Sequence, residues 1–567
     1  MSGHYARVAP PHGINGPLTL SLPPHIIGFM KVLSSAQMRD VDQLTTERYG
    51  IPGLQLMENA SIALIENTEK KYGAPKGRHI LIVAGRGNNG GDGAAAARQF
   101  HLRGAIISLV VLGRINDSKG DARHNLEIAR SISDGQPDTF RVLEIDTPEQ
   151  FKDAVESAQF DWLVDAIFGT GLTRPAGGIY EIAIEYLNET RRRTGSPVIS
   201  VDIPSGISSD SHELIGPAVQ ADLTVTFTAP KLASVLPPAC HYGGELVVAA
   251  IGSPPALIAE AGARLNLVES TDISSWLASS RRGPDANKGD VGKVLIVAGS
   301  RGKTGSACLA GGAAIRSGTG LVTVATAESA QPPVASQIAI ECMTEPLPET
   351  EQGAVSSKAA SRIFQLADER DVLAIGPGIG SSEEPTRELV HTIVAGRRWP
   401  VVIDADGLNS LAPWGDDLKG TAELPIILTP HPGEMARLTG RPISYILRGR
   451  VEVARDFAVR NCVVLILKGS RTVVAAPDGE VYVNPTGNSG MATGGTGDVL
   501  TGITAGLLAQ KTNDPVGATI AAVYIHGLAG DIAALRFGAR ALIASDITAH
   551  LGDAFLRTGG EAERLIQ

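Results

Sequence analysis

Asp498 closes a glycine-rich stretch, Asn484-Pro-Thr-Gly-Asn-Ser-Gly-Met-Ala-Thr-Gly-Gly-Thr-Gly-Asp498, and is followed at once by the apolar run Val499-Leu500-Thr501-Gly502-Ile503. Glycines at this density exclude a regular helix or strand, whereas Val499 to Gln510 reads as a buried helix of small residues. A glycine loop that feeds a helix start is an anion site, because bare backbone N–H groups and the positive end of the helix dipole can hold a phosphate. A carboxylate at that point can take a proton from a substrate hydroxyl. The plainer alternative is a flexible loop with Asp498 as N-cap. It fits poorly with threonines and glycines interleaved just ahead of a buried helix.

A second set of reactive groups lies in the first half. His79-Ile-Leu-Ile-Val-Ala84 reads as a buried parallel strand; it runs into Gly85-Arg-Gly-Asn-Asn-Gly-Gly-Asp-Gly93 and then an alanine-rich helix, Ala94 to Arg103. Strand, glycine loop and helix make a dinucleotide-type arrangement, although the spacing is not Gly-x-Gly-x-x-Gly. Asn88, Asn89 and Asp92 add amide and carboxylate groups that a pure phosphate cradle does not need. Two further strands, Trp162-Leu-Val-Asp165 and Val198-Ile-Ser-Val-Asp202, each end in an acid. Carboxyl ends of parallel strands converge on one crevice, so Asp165 and Asp202 are expected to face Asn88–Asp92. The alternative is that both acids only cap neighbouring turns.

The elements around these groups alternate strand and helix throughout. Ser35 to Tyr49 and Leu54 to Tyr72 carry helical apolar stripes, and strands are expected at Ile106–Leu112, Leu223–Phe227 and Leu246–Ala250. The second half repeats the pattern at Lys293–Ala298, Gly318–Val324, Val372-Leu-Ala-Ile-Gly-Pro-Gly-Ile-Gly380, Val401-Val-Ile-Asp-Ala-Asp406, Pro425-Ile-Ile-Leu-Thr-Pro-His-Pro-Gly-Glu434 and Val463-Val-Leu-Ile-Leu-Lys468. Each apolar strand runs into a polar or glycine-bearing tip, as one crevice at the edge of a doubly wound sheet requires. Lys468 at such a tip invites an anion. His431, between two prolines, is open to reading as a rigid turn residue. Gly299-Ser-Arg-Gly-Lys-Thr-Gly305 lacks the Gly-x-x-x-x-Gly frame of a P-loop.

At 567 residues the chain is too long for one core. We expect a disordered extension at 1–29, a first domain at 30–256, a linker at 257–287 and a second domain at 288–567. With 43% hydrophobic and 19% charged residues and 65 glycines, the composition is that of an α/β enzyme rich in tight turns. A net charge of −10 argues against a nucleic-acid or anionic-membrane partner, so an anionic ligand must be held by local loops. Cys240, Cys308, Cys342 and Cys462 have no metal or disulfide spacing and read as buried thiols. No apolar run approaches bilayer length, and no signal-peptide core precedes Met30, so a cytoplasmic protein is expected.

The motifs also carry a resemblance. Gly487-Asn-Ser-Gly-Met-Ala-Thr-Gly-Gly-Thr-Gly-Asp498 resembles the nucleotide-site signature of the ADP/ATP-dependent NAD(P)H-hydrate dehydratases, which have a ribokinase-like fold. Gly87-Asn-Asn-Gly-Gly-Asp-Gly93, Asp165-Ala-Ile-Phe-Gly-Thr-Gly171 and Asp202-Ile-Pro-Ser-Gly206 resemble the NAD(P)H-hydrate epimerases, as does Met57-Glu-Asn-Ala60. The resemblance implies a Rossmann-like three-layer domain followed by a ribokinase-like doubly wound α/β domain. It covers about residues 31–555.

By that resemblance Asn88, Asn89, Gly90, Gly91 and Asp92, the segment Gly169, Thr170, Gly171, Leu172, Thr173, Arg174 and Pro175, and Asp202 bind hydrated NADH or NADPH (NADHX, NADPHX). Asn89, Asp165 and Ser205 ligate a potassium ion, an oxygen-only set that suits a hard cation. Asp202 is the proton-transfer residue. In the second half Ser306, Gly380, His431 and Asp498 contact the hydrated dinucleotide, with Asp498 catalytic. Lys468, Gly469, Ser470, Arg471 and Thr472 with Gly497 hold the adenosine phosphate of ADP or ATP, with magnesium. Ser306 stands where the family often has alanine and Ser489 where many members have proline. The implied activity is epimerisation of the R and S hydrates and nucleotide-dependent dehydration of the S form, by a homo-oligomer acting on small molecules. Fusion of the two activities on one chain favours ADP. The rival readings are a ribokinase-like kinase of the hydroxymethylpyrimidine type with an N-terminal nucleotide-binding module, and a nucleotide sensor without turnover.

Overall fold

In a computed structural model, residues 28–156 and 158–559 are described. The extension expected to be disordered lies outside them up to residue 27; Phe29, inside it, packs edge-on against Tyr482 at 4.7 Å. The chain forms two compact units, Leu33–Gly262 and a second comprising Ala263 onward together with the short segment ending at Val32. The stretch 257–287, expected as a linker, instead holds Leu265–Leu267, a strand of the second unit's sheet, and the helix Ser270–Ser279. A three-residue strand is too short to announce itself by alternation.

The first unit is built on a seven-stranded sheet in the order Phe140–Ile145, Ile106–Leu112, His79–Ala84, Trp162–Ala166, Val198–Val201, Leu223–Phe227, Glu245–Ala249, every pair parallel. Ile80 through Ala84 are wholly buried, as strands covered on both faces must be, and separate apolar clusters fill the two sides. From His79–Ala84 the chain goes first to one side and then to the other, so the sheet's switch point lies between that strand and Trp162–Ala166.

The loop expected at Asn88–Gly93 is helical, forming the first turns of Asn88–Leu102. The reason is steric. A Cβ at Gly90 would stand 1.9 Å from the Gly85 carbonyl oxygen, so the glycines let the helix start directly against the strand end.

The second unit has an eleven-stranded sheet. Seven parallel strands run in the order Val464–Leu467, Ile426–Leu428, Val401–Ile403, Val372–Ile375, Lys293–Val297, Leu321–Ala327, Met343–Leu347, and Val473–Ala475, Val481–Val483, Leu265–Leu267 and Met30–Lys31 extend the Val464 side. Its switch point lies between Lys293–Val297 and Val372–Ile375. The helix Thr496–Gln510 starts two residues before Asp498, because Gly495 at φ 90° supplies the left-handed turn at its N-cap. Among the described residues one helix, Pro515–Phe537, is long and apolar enough to cross a membrane, contrary to the sequence expectation; it is mostly buried in the core. Among the cysteines Cys240, Cys308 and Cys342 are half-buried, while Cys462 is exposed rather than buried.

The helices Thr304–Arg316 and Thr496–Gln510 meet through small residues. A Cβ at Gly502 would lie 2.2 Å from the Ala310 carbonyl oxygen and 2.9 Å from the Ala313 Cβ. Gly502→Val should therefore wedge the pair apart and lower stability by about 1–3 kcal/mol, read as an earlier unfolding transition of the C-terminal unit; an unchanged transition would show that the helices separate freely.

Candidate active sites

In the first unit the strand-end acid Asp165 is fully buried. Its carboxylate accepts from Ser205 N–H at 2.8 Å, Ser200 Oγ at 2.8 Å, Ser205 Oγ at 2.5 Å and Ile167 N–H at 3.3 Å. Burial raises its pKa, and those bonds offset part of the rise. Asn89, also buried, donates through Nδ2 to the Phe168 carbonyl at 2.9 Å, and Phe168 N–H donates to Ser205 Oγ at 2.9 Å. Asn89, Asp165 and Ser205 are thus one oxygen-rich knot tied through Phe168.

Asp202 lies beyond the next strand end with φ 63°, a backbone that costs a non-glycine residue energy and persists only when its surroundings fix it. Thr226 Oγ1 donates to its Oδ1 at 2.9 Å and Phe227 N–H at 3.2 Å, and the Lys231 ammonium pairs with the same oxygen. Lys231 also donates to Thr226 Oγ1 at 2.9 Å and the Phe227 carbonyl at 3.2 Å. Only 1% of its side chain is exposed, which is tolerable for an ammonium solely because it is paired. Asp92, on the first turns of its helix, has its pKa pushed well up by burial and by Asp202 and Asp42, against Lys231. Gly169 packs beside Asn89, and Gly169–Pro175 continue as a loop from the carboxyl edge with Gly171 and Thr173–Pro175 exposed.

In the second unit Asp404 is buried and accepts from Lys468 Nζ at 2.7 Å and Thr501 Oγ1 at 2.8 Å. Burial would raise its pKa, but the Lys468 charge and the hydrogen bonds win and hold it low. Lys468 also lies 3.7 Å from Glu434, and a Cβ on Gly497 would be 3.3 Å from its Nζ, so the ammonium stands under the start of Thr496–Gln510. That helix has no side-chain cap. The backbone N–H groups of its first turn are therefore open to an anion.

Asp498, in the same turn, has its pKa raised to about 6 by burial and by Asp404, against the Ser306 hydrogen bond and Lys468. Gly380 N–H donates to Asp406 at 3.0 Å; Ser381 Oγ and Lys303 Nζ hold the same carboxylate at 2.8 and 2.9 Å. His431 is the N-cap of Pro432–Thr439: its Nδ1 accepts from Gly433 N–H at 2.9 Å. The loop Gly469–Thr472 is pinned by buried Arg450, which donates to the Ser470 and Arg471 carbonyls at 2.8 and 3.2 Å.

Family comparison accords with this pair of crevices. A profile described as YjeF-related protein N-terminus matches residues 53–233, and one described as NAD(P)H-hydrate dehydratase matches residues 294–551. Bifunctional NAD(P)H-hydrate repair enzymes of Moorella thermoacetica and Thermofilum pendens are 42% and 37% identical over 521 and 509 residues, covering 91% and 90% of this chain and 95% and 93% of theirs. The chain belongs to the bifunctional NAD(P)H-hydrate repair enzymes. An ADP/ATP-dependent NAD(P)H-hydrate dehydratase from Bacillus subtilis, co-crystallised with ATP and Mg2+, is 33% identical and covers 49% of this chain and 94% of its own, with a TM-score of 0.43.

Several residues that interact with the candidate site residues of this repair enzyme or with its glycine loops lie outside the glycine motifs: Asp42, Lys231, Lys303, Asp404, Asp406, Arg450, and Asp531, which accepts from Gly487 N–H and Asn488 Nδ2 at 2.9 Å each. Asp404, Asp406 and Lys231 stand just past strand ends, where a search for acids and lysines would find them. Asp42, Arg450 and Asp531 sit on helices and give no such signal. Lys231→Met should leave Asp202 as an unpaired, mostly buried charge and destabilise the first unit by about 3–5 kcal/mol. Combining it with Asp202→Asn should recover most of that loss in unfolding experiments; no recovery would mean that Lys231 acts through packing alone.

Proposed function

We propose that the N-terminal half interconverts the R and S hydrates of NADH and NADPH at Asn88–Asp92, Gly169–Pro175 and Asp202, and that the C-terminal half dehydrates the S form at Ser306, Gly380, His431 and Asp498. The observation that carries the second assignment is the uncapped helix start at Thr496, with Lys468 beneath it and the raised carboxyl of Asp498 beside it. A terminal phosphate of ADP or ATP fits those N–H groups and Lys468, with Gly469–Thr472 and Gly497 around it. Asp498 takes the proton of the substrate hydroxyl, whose oxygen attacks the terminal phosphorus and releases AMP from ADP. Phosphate is a far better leaving group than hydroxide: the ring nitrogen's electron pair expels it, and loss of a proton from the adjacent carbon restores the dihydronicotinamide.

Mg2+ carried in with the nucleotide would offset charge on the transferring phosphoryl group. In the first half Asn89, Asp165 and Ser205 would hold potassium, with the Phe168 carbonyl as a further oxygen; a buried carboxylate ringed by neutral donors fits a cation of low charge. The free thiols fit a reducing, cytoplasmic compartment.

Incubating hydrated NADH with ADP and magnesium tests the whole reading by recovery of dihydronicotinamide absorbance; a stable phosphorylated product would indicate a kinase, and no turnover a sensor. Because Asp498 must be ionised to act as base and its pKa is about 6, dehydration should fall about tenfold per pH unit below that value. Asp498→Asn should cost about a hundred- to ten-thousandfold while nucleotide still binds; more than about a tenth of wild-type activity would point to another base. Asp165→Ala should depress epimerisation and remove its potassium dependence. Full wild-type epimerisation in potassium-free buffer would dismiss the ion site.

A further inference from the structure

The N-terminal crevice holds a further acid that no strand tip or glycine motif supplies. Asp42 lies on the helix Ser35–Tyr49, among the buried residues Met38, Val41 and Thr45. Its Oδ1 is buried and has no hydrogen-bond partner. The charges it faces are Lys231 and Asp202, and Asp92 feels it in turn. Lys231 does not satisfy it, because its three N–H groups go to Asp202 Oδ1, Thr226 Oγ1 and the Phe227 carbonyl. A buried carboxyl oxygen without a partner in the chain, beside a substrate crevice, calls for one from outside it, because unpaired buried groups are rarely tolerated.

We propose that Asp42 is the second proton-transfer group of the epimerisation, acting as acid while Asp202 acts as base. The inference rests on the reading of Asp202 given above. Hydration of a dihydronicotinamide puts the hydroxyl on the carbon bonded to the ring nitrogen, because that carbon shares the positive charge left when the enamine double bond is protonated. Such a centre inverts by ring opening. Asp202 takes the hydroxyl proton, the carbon–oxygen double bond forms, and the carbon–nitrogen bond breaks with its electron pair going to nitrogen. Nitrogen takes the proton of Asp42. Rotation of the freed aldehyde turns its other face to nitrogen, which attacks, returning its proton to Asp42 while the oxygen recovers the proton held by Asp202. Nothing is consumed, and both carboxyls end as they began.

The environment divides the labour among the three acids. Asp202 is bound to the Lys231 ammonium. Burial lifts Asp42 to about 6, with Lys231 pulling down and Asp202 pushing up, so it can both lose and regain a proton near neutrality. Asp92 is pushed well up by burial and by its two acidic neighbours, Asp202 and Asp42.

The full-length enzyme acting on the R hydrate of NADH tests this. Asp42→Asn should lower kcat for epimerisation at least a hundredfold with KM within threefold, and should abolish the decline in rate as pH rises through about 6, since an acid works only while protonated. Dehydration of the S hydrate should continue. A variant with more than a third of the wild-type kcat and an unaltered pH profile overturns the proposal. Should Asp42→Asn unfold the N-terminal half, Asp42→Glu decides: it keeps an acid but displaces it, so a rate at least tenfold lower with the pH decline retained supports the role, and a wild-type rate refutes it. Asp202→Asn separates the two readings. Wild-type epimerisation by that variant sinks the Asp202 assignment, whereas an inactive Asp202→Asn beside an active Asp42→Asn sinks only the role given to Asp42.

Discussion

A lysine ammonium cannot remain charged inside a protein without a carboxylate against it, and each half of this enzyme places one such pair at the carboxyl edge of its sheet. Lys231 binds Asp202 in the first half, and Lys468 binds Asp404 in the second. Removing either partner strands a charge, so the pair constrains everything around it. In the first half it engages Asp202, whose backbone is left-handed, beyond the strand end. In the second it sets the ammonium under an uncapped helix start, where the phosphate proposed above would add a second counter-charge without displacing the first.

The pairs also explain why neighbouring carboxyls behave differently. Asp404 and Asp498 border one site, yet the first is held low by Lys468 and the second is lifted to about 6 by burial. Acids whose environments push them apart can take different parts in one reaction, and that separation comes from which oxygen the lysine touches, not from the residue type.

The α/β class, the two glycine-bearing crevices and the strand-end acids were legible because parallel buried strands read as unbroken apolar runs and their tips must carry turn residues. Asp42 was not. In Ser-Ala-Gln-Met-Arg-Asp-Val-Asp-Gln-Leu it looks like one more polar residue on the solvent face, and only the packing of that helix beside Lys231 shows otherwise. The helical turn at Asn88–Gly93 was hidden for the opposite reason. Its glycines signal freedom in sequence, while in the fold they permit a close approach. Pro515–Phe537 hid its apolar length behind interspersed glycine, histidine and aspartate.

The same short strands that escaped the sequence govern how the halves are joined. Met30–Lys31 pairs antiparallel with Leu265–Leu267, and Val32 N–H donates to the Leu265 carbonyl at 2.8 Å. The chain therefore leaves the second unit's sheet at Val32 and re-enters it at an adjacent strand after the whole of Leu33–Gly262, so the first unit is an insertion with both ends fixed side by side. Glu480 secures that edge by accepting from Lys31 Nζ at 3.0 Å and Asn266 Nδ2 at 2.8 Å. Dividing the chain within 257–287 would strip the outer strand from the sheet, and cutting after Leu267 would strip two. The edge would then move to a strand that Met30–Lys31 now covers, so the dehydratase half takes strands of its own sheet from both sides of the epimerase half.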